Sequence, residues 1–274
     1  MSLPPESLVY LWEYRTLYIG ELGNLSTMNQ GAASLVIGIE GEFEFWGDDE
    51  HSRIRSKSAL IPAGFKFNID TFDLPVACCY LDPVGADFAA FRLQMKGEHE
   101  GVFYDSCAEM QQVQGFLNIR QHEWSGDRAY AELMNVIFPP LSLRETIPKA
   151  DERIWNVIGI IKREPLINHS SAELAERVGL SENQLQRLFK STTGLPVRRY
   201  RLWHRLFVTA TYMGFGYTLT NAALASGFSD SSHFNHTFKS MLGMKPSFVL
   251  RRSDNIKIFT GGDDGVCAER GLAS

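Results

Sequence analysis

Long hydrophobic runs are missing from this 274-residue sequence. No apolar stretch reaches the roughly 20 residues that a membrane-crossing helix needs. The start of the chain lacks a basic segment followed by an apolar run, so no signal peptide is expected. Cysteine is scarce: Cys78, Cys79, Cys107 and Cys267 are the four present. None forms a C-x-x-C pair, which excludes a zinc knuckle or a thioredoxin-like motif. A reducing cytoplasm is therefore the expected compartment. Histidines are scattered as well, with His51, His99 and His122 far apart and no His-x-His. After Pro62, Ala63 and Gly64 come Phe65, Lys66, Phe67 and Asn68, with no histidine among them. The sequence also lacks G-x-S-x-G, a P-loop and G-x-G-x-x-G. On these grounds no catalytic residue, metal ligand or cofactor is assigned, and the protein is read as a non-enzyme.

Charge is present but unevenly divided. Residues 151–252 hold 14 Lys/Arg against 7 Asp/Glu, a net of +7. Residues 1–149 hold 11 against 21, a net of −10. The whole chain, at −5, hides this asymmetry. A basic binding module joined to an acidic partner domain is the expected organisation.

The acidic half reads as strands from about residue 8 to 81. Residues 9–15 are rich in aromatics, 34–39 form a continuous apolar run, and 42–46 alternate as a strand with one wet face does. Gly41, Gly47, Asp48 and Asp49 mark turns. Residues 59–64 and 76–81 are further strands. In the latter, Cys78 and Cys79 point to opposite faces, which places one of them in a core. Many short strands between turn signals suggest a small β-barrel or jelly roll, a shape able to enclose a ligand. Tyr10, Trp12 and Tyr14 share one strand face, and Phe43 and Phe45 another. These aromatics either fill a core or line a pocket. Tyr10, Trp12, Phe43 and Phe45 are the candidate effector-binding residues. Helices are expected over 86–95 and 127–138, the second carrying Tyr130, Leu133, Met134 and Ile137. That helix packs on the barrel or on a second chain. Pro139 and Pro140 end it, and 139–150 is the expected linker.

The basic half opens with an amphipathic helix bearing Ile154, Val157, Ile158 and Ile161, ended by Pro165. Ser170 with Glu173 forms a capping box, and Leu174, Ala175 and Val178 give the next helix its buried face. Gly179 is suited to a left-handed helix end. A second capping box, Ser181 with Gln184, starts another helix whose stripe is Leu185, Leu188 and Phe189. Its other face carries Glu182, Asn183, Gln186, Arg187 and Lys190. Short helix, glycine turn and capped helix together make a helix-turn-helix. Asn, Gln and Arg are the side chains able to make paired hydrogen bonds to base edges in the major groove. A long helix follows over about 197–213, rich in arginine at Arg198, Arg199, Arg201 and Arg205.

The pattern then recurs. Ala175, Gly179 and Ser181 return 48 residues on as Ala223, Gly227 and Ser229. Leu185, Phe189, Lys190, Ser191 and Gly194 return 49 residues on as Phe234, Phe238, Lys239, Ser240 and Gly243. Pro196 returns as Pro246. Two helix-turn-helix units on one connecting helix are two reading heads, able to address successive major-groove segments about 34 Å apart.

Residues 151–252, above all 223–239 with Gly243, Pro246, Ser247 and Phe248, closely resemble the DNA-binding domain of AraC/XylS-type bacterial transcription regulators. By that resemblance Asn183, Gln186 and Arg187 face bases from the first unit. Ser231, Ser232, Asn235 and His236 do so from the second. His236 stands where the family often has Arg or Gln, and a histidine cannot form an arginine fork. The second unit is therefore expected to do more phosphate positioning. Lys190, Lys239, Arg198 and Arg199 complete the expected DNA contacts, together with His233, whose alternative role is helix packing or capping.

The N-terminal half resembles the cupin-like sensor of the same family through Leu60, Ile61, Pro62, Ala63 and Gly64, followed by Tyr80, Leu81, Asp82 and Pro83. The resemblance implies an α+β chain: a cupin-like β-barrel with helices, then an all-α domain of two helix-turn-helix units joined by a long helix. The domains would be 1–138 for effector binding and dimerisation, 139–150 as linker, 151–252 for DNA, and a disordered tail at 253–274. It implies a sequence-specific regulator, an activator, controlled by a small organic effector in the barrel. Double-stranded DNA, a second copy of the chain and RNA polymerase would be its partners, with no membrane. Effector-independent DNA binding, or a cupin-type metal enzyme fused to DNA-binding helices, are the alternatives.

Overall fold

The computed structural model describes residues 7–246 and 256–261. The acidic half supplies strands β1 (Ser7–Leu11), β2 (Thr16–Glu21), β3 (Asn24–Asn29), β4 (Ser34–Gly38), β5 (Phe43–Trp46), β6 (Ile54–Ser56), β7 (Ser58–Ile61), β8 (Lys66–Asp70) and β9 (Pro75–Tyr80). Helix α1 (Asp87–Arg92), strands β10 (Met95–His99) and β11 (Val102–Ser106), and helices α2 (Glu109–His122) and α3 (Gly126–Glu132) follow. A π-helical turn, Leu133–Ile137, extends α3, and a short helix α4 (Leu141–Arg144) lies within the expected linker. The basic half is helical: α5 (Glu152–Arg163), α6 (Ser171–Arg177), α7 (Glu182–Thr193), α8 (Val197–Gly214), α9 (Leu219–Ala225) and α10 (Ser231–Leu242). A last strand, β12 (Ile256–Thr260), returns to the first half.

The strands form two sheets. The larger runs β10-β11-β7-β4-β9-β2-β1-β12 and the smaller β3-β8-β5-β6. Neither closes on itself, so the expected cupin-like β-barrel is corrected to two open sheets stacked face to face. Closure would require the edge strands of one sheet to pair. Here β12 occupies the free side of β1 in parallel register, and β10 ends the opposite edge.

Side-chain alternation builds three layers from this arrangement. Val36, Ala59, Ile61, Val76 and Cys78 of the large sheet meet Leu25, Phe43, Phe45, Phe67 and Ile69 of the small one. Their neighbours Leu35, Ile37, Leu60, Ala77 and Cys79 face the other way, onto Phe91, Phe116, Ile119 and Leu133 of the helices. Both faces of the large sheet are thus dry, which is why β4 reads as a continuous apolar run. It is also why Cys78 and Cys79 are both buried, where a single core cysteine was expected. Burial pushes the Cys78 thiol up to about 12 and raises that of Cys79 as well.

Two further expectations change. The helix foreseen over 86–95 stops at Arg92, because Met95 already belongs to the β10–β11 hairpin. Helix α2 carries no clear sequence signal, since its buried face includes Gln112 and Gly115 beside Phe116 and Ile119. The tail expected to be disordered over 253–274 contributes β12 at 256–260; residues 253–255 and 262–274 lie outside those described.

A buried ion pair ties the sheet to α1. Arg15 donates Nε to Asp87 at 2.7 Å, a second nitrogen to the same carboxylate at 3.0 Å, and a third to the Tyr130 hydroxyl at 3.0 Å. Its two side chains are 11% and 2% exposed. Burial, with Asp87 nearby, raises the carboxyl of Asp82 above the usual range. Removing one partner strands the other charge in the interior, which costs about 3–5 kcal/mol. Asp87→Ala is expected to lower unfolding free energy by about that amount in urea titrations, whereas an exposed pair such as Arg55–Glu42 should be worth roughly 0–1 kcal/mol.

Candidate nucleic-acid interface

The first helix-turn-helix forms as its caps dictate. Ser170 Oγ accepts from the Glu173 amide at 3.1 Å, and the Glu173 carboxylate accepts from the Ser170 amide at 2.7 Å. Leu174 and Ala175 are buried, and Gly179 takes φ +67°, which a side chain would resist. Ser181 and Gln184 repeat the reciprocal cap at 3.3 and 2.9 Å. Leu185 and Phe189 anchor α7 in a core shared with Ile154, Val157, Ile161 and Tyr200. The opposite face is exposed throughout: Asn183, Gln186, Arg187 and Lys190 all reach solvent. Gln186 donates to Glu182 at 3.2 Å one turn earlier, which pre-orders its amide.

The second unit follows the same plan with one adjustment. Thr218 caps α9 through the Asn221 amide at 3.4 Å, and Gly227 takes φ +86°. The cap of α10 is Asp230, accepting from the His233 amide at 2.8 Å. Ser229, the residue in register with Ser181, instead donates to Asp230 at 2.9 Å and lies 3.3 Å from His233 Nδ1. The extra residue of the repeat is therefore taken up before the cap, and both units close on a left-handed glycine, Gly194 and Gly243. Ser231, Ser232, Asn235, His236 and Lys239 are exposed. His233 is half-buried, its ring edge-on to Phe228 at 5.3 Å, which places it in the packing of the unit.

The α8 arginines separate. Arg198 is exposed. Arg199 turns to the acidic half and donates to the Asn29 carbonyl at 2.5 Å. Arg201 bonds to the His169 carbonyl and to Asn168, and Arg205 donates to the Pro165 carbonyl at 3.1 Å. Desolvation lowers the pKa of Arg199, Arg201 and Arg205. Arg199 therefore stands with the seam between the two halves and apart from the other expected DNA contacts.

The four aromatic effector candidates do not meet in one pocket. Tyr10 and Trp12 lie in the core on the helix side of the large sheet, and Phe43 and Phe45 between the sheets. Tyr10 donates to the Trp124 carbonyl and Trp12 to the Gly126 carbonyl, each at 3.0 Å. Of the four, Trp12 borders a cleft. That cleft lies on the seam, with about 410 Å³ of empty space that includes open solvent. Tyr14, Tyr80 and Leu81 line it from one side, and Lys162, Trp203 and Phe207 from the other. Lys162 Nζ lies 3.2 Å above the Tyr14 ring and donates to the Glu13 carbonyl at 2.6 Å. The Trp203 ring meets Tyr80 edge-on at 4.9 Å, and a Cβ on Gly31 would stand 2.3 Å from that of Trp203. The cleft escaped the sequence reading because its walls come from positions up to 195 residues apart. The aromatic spacing of Tyr200, Trp203 and Phe207 along α8 was the available signal.

A family model described as a helix-turn-helix domain matches residues 174–252. No curated protein matches the chain. Among solved structures, ToxT from Vibrio cholerae O395 is 12% identical, with a TM-score of 0.56 over 87% of this chain and 98% of that one. Wild-type ToxT from strain SCE256 with an unsaturated fatty acid bound is 15% identical, with a TM-score of 0.55 over 91% and 97%. ToxT from O395 bound to (E)-4-(8-methylnaphthalen-1-yl)but-3-enoic acid is 14% identical, with a TM-score of 0.54 over 87% and 99%. The chain shares the fold of ToxT. Its helix-turn-helix region presents two polar helix faces, and among the described residues no group of His, Cys, Asp or Glu is placed to hold a metal ion. No described helix is long and apolar enough to cross a membrane.

Burial also leaves His204 of α8 neutral, its pKa pushed down to about 3 by desolvation and, next, by the Lys162 charge. The unfolded chain then binds a proton that the folded chain does not, at every pH between about 3 and 6.5. Stability contributed by this site is whole above about pH 6.5 and is lost as pH falls through that window. His204→Phe should flatten the acid limb of a stability–pH profile; an unchanged limb would show that other groups set it.

Proposed function

We propose that this chain is a sequence-specific DNA-binding transcription regulator whose occupancy of DNA is controlled by a small organic molecule bound at the seam between its halves. Residues 1–138 are the sensing domain, 139–150 the linker and 151–252 the DNA-binding domain. The observation that carries the reading is the repeated, capped helix-turn-helix with a fully exposed Asn183, Gln186, Arg187 face on α7. These three side chains read bases, Ser231, Ser232, Asn235 and His236 add contacts from the second unit, and Lys190, Lys239 and Arg198 neutralise phosphate. The protein acts in the cytoplasm as an activator, as a homodimer that touches RNA polymerase.

The expected result for Arg187→Ala is a loss of about 1–3 kcal/mol in specific affinity with relaxed preference at one base pair. Equal weakening on every sequence would reassign Arg187 to a phosphate. Arg198→Ala should weaken all duplexes alike and reduce the salt slope by about 1. Arg199→Ala should leave that slope unchanged. Fluorescence titration at several salt concentrations reads all three.

For the effector, an apolar acid matches the chemistry of the aromatic residues at the cleft and its Lys162, and the ToxT structures carry two such acids. The acid would take over the ammonium now held by Glu13. Calorimetry with a C16 unsaturated fatty acid should show binding that Lys162→Ala weakens at least tenfold, while binding of the matching alcohol is unaffected. Equal loss for acid and alcohol would remove Lys162 from ligand recognition. The effector-independent alternative predicts no heat with either compound.

A further inference from the structure

We propose that β12 is a releasable strap that couples the sensing half to the helix-turn-helix half. All five of its residues pair in parallel with β1, from Ser7 opposite Ile256 to Leu11 opposite Thr260. Alternate side chains of a strand point to opposite faces, and here each face meets a different half. Phe259 stacks on Tyr10 at 4.7 Å and joins the core between the large sheet and its helices. Lys257, on the same face, pairs with Glu123 at 2.7 Å. Ile258 faces the other way and abuts the last turn of α8, where a Cβ on Gly214 would stand 3.0 Å from its Cγ2.

The second helix-turn-helix unit is thereby held at two places. Its far end rests on β3, where a Cβ on Gly243 would lie 2.7 Å from the Met28 side chain and Met244 joins the inter-sheet core. Its near end, the close of α8, rests on β12. The strap itself is lightly held: among the described residues it is an edge strand of five residues, each keeping some exposure to water. A short edge strand is among the least stable parts of a sheet. It can leave while the two cores it bridges stay folded, and its departure loosens the second unit from β3. Control of DNA binding through this contact rests on the DNA-binding reading above; the mechanical coupling does not.

Hydrogen exchange on the full-length protein tests the coupling. Phe259→Asp, and separately Gly214→Val, should each accelerate exchange at least tenfold in β3 and the last turn of α10, elements outside the β1–β12 ladder. Acceleration confined to β1 and β12 would overturn the proposal and leave β12 as a simple edge cover. Should either variant fold poorly, the opposed pair Val9→Cys and Ile258→Cys, with Cys107 and Cys267 changed to Ser, locks the strap when oxidised. Exchange in β3 and α10 should then slow at least tenfold relative to the reduced form, and no difference would again refute coupling. For the regulatory part, a duplex enriched by the wild-type chain from a random pool serves as probe. Oxidised and reduced forms should differ at least threefold in Kd, and equal Kd values would refute it. Failure to enrich any duplex would instead refute the DNA-binding reading, with the exchange result still deciding the strap.

Discussion

Helix α8 is the constraint on which the rest of the structure depends. It must bury more than one face at once. Tyr200 and Leu206 serve the cores of the two helix-turn-helix units in turn. Trp203 and Arg199 press on the acidic half, at Gly31, Tyr80 and Asn29. At about 1.5 Å per residue its 18 residues make a rod of about 27 Å. The rod sets the separation of the two helix-turn-helix units and is also the wall against which the acidic half rests. A change in how the acidic half packs on α8 would therefore reach both units.

The seam is unusually mixed in its chemistry. Six aromatic rings line its cleft, beside charged groups that have partners within the protein. Arg15 is committed to Asp87, Lys162 to Glu13 and the Tyr14 ring, and His204 is held neutral by burial. Val84, just past β9, enters the core of the first helix-turn-helix unit. It lies two residues from Asp82, whose carboxylate accepts the Val84 amide at 3.0 Å. A displacement of the buried Arg15–Asp87 pair would thus reach the helix-turn-helix half through a few bonds and one apolar contact. That is a short physical route between the cleft and the first helix-turn-helix unit.

Within the basic half, most of the architecture is legible in the residues. Caps, glycines and apolar stripes are local features, fixed by interactions within a few residues of one another. Ser170, Ser181, Gly179, Gly194, Gly227 and Gly243 all do in the structure what their chemistry implies. The one slip, Ser229 taken as the counterpart of Ser181, arises because Asp230 is an equally good cap one position later. In the acidic half, strand existence is legible and strand arrangement is not. Strand patterns cannot distinguish a closed barrel from two stacked open sheets, since the inward faces are buried in both and helices can cover the outer face of either.

By itself, then, the sequence determined the two-part charge division, the repeated helix-turn-helix and the exposed Asn183, Gln186, Arg187 face, because each depends on short-range patterns. Only the tertiary structure decided that the sheets stay open, that Tyr10 and Phe43 lie in separate cores, that Arg199 belongs to the seam, and that residues 256–260 form a strand. Those outcomes depend on contacts between residues far apart in the chain. Long-range pairing is set by which surfaces remain to be covered once each half has folded, and no local pattern encodes it.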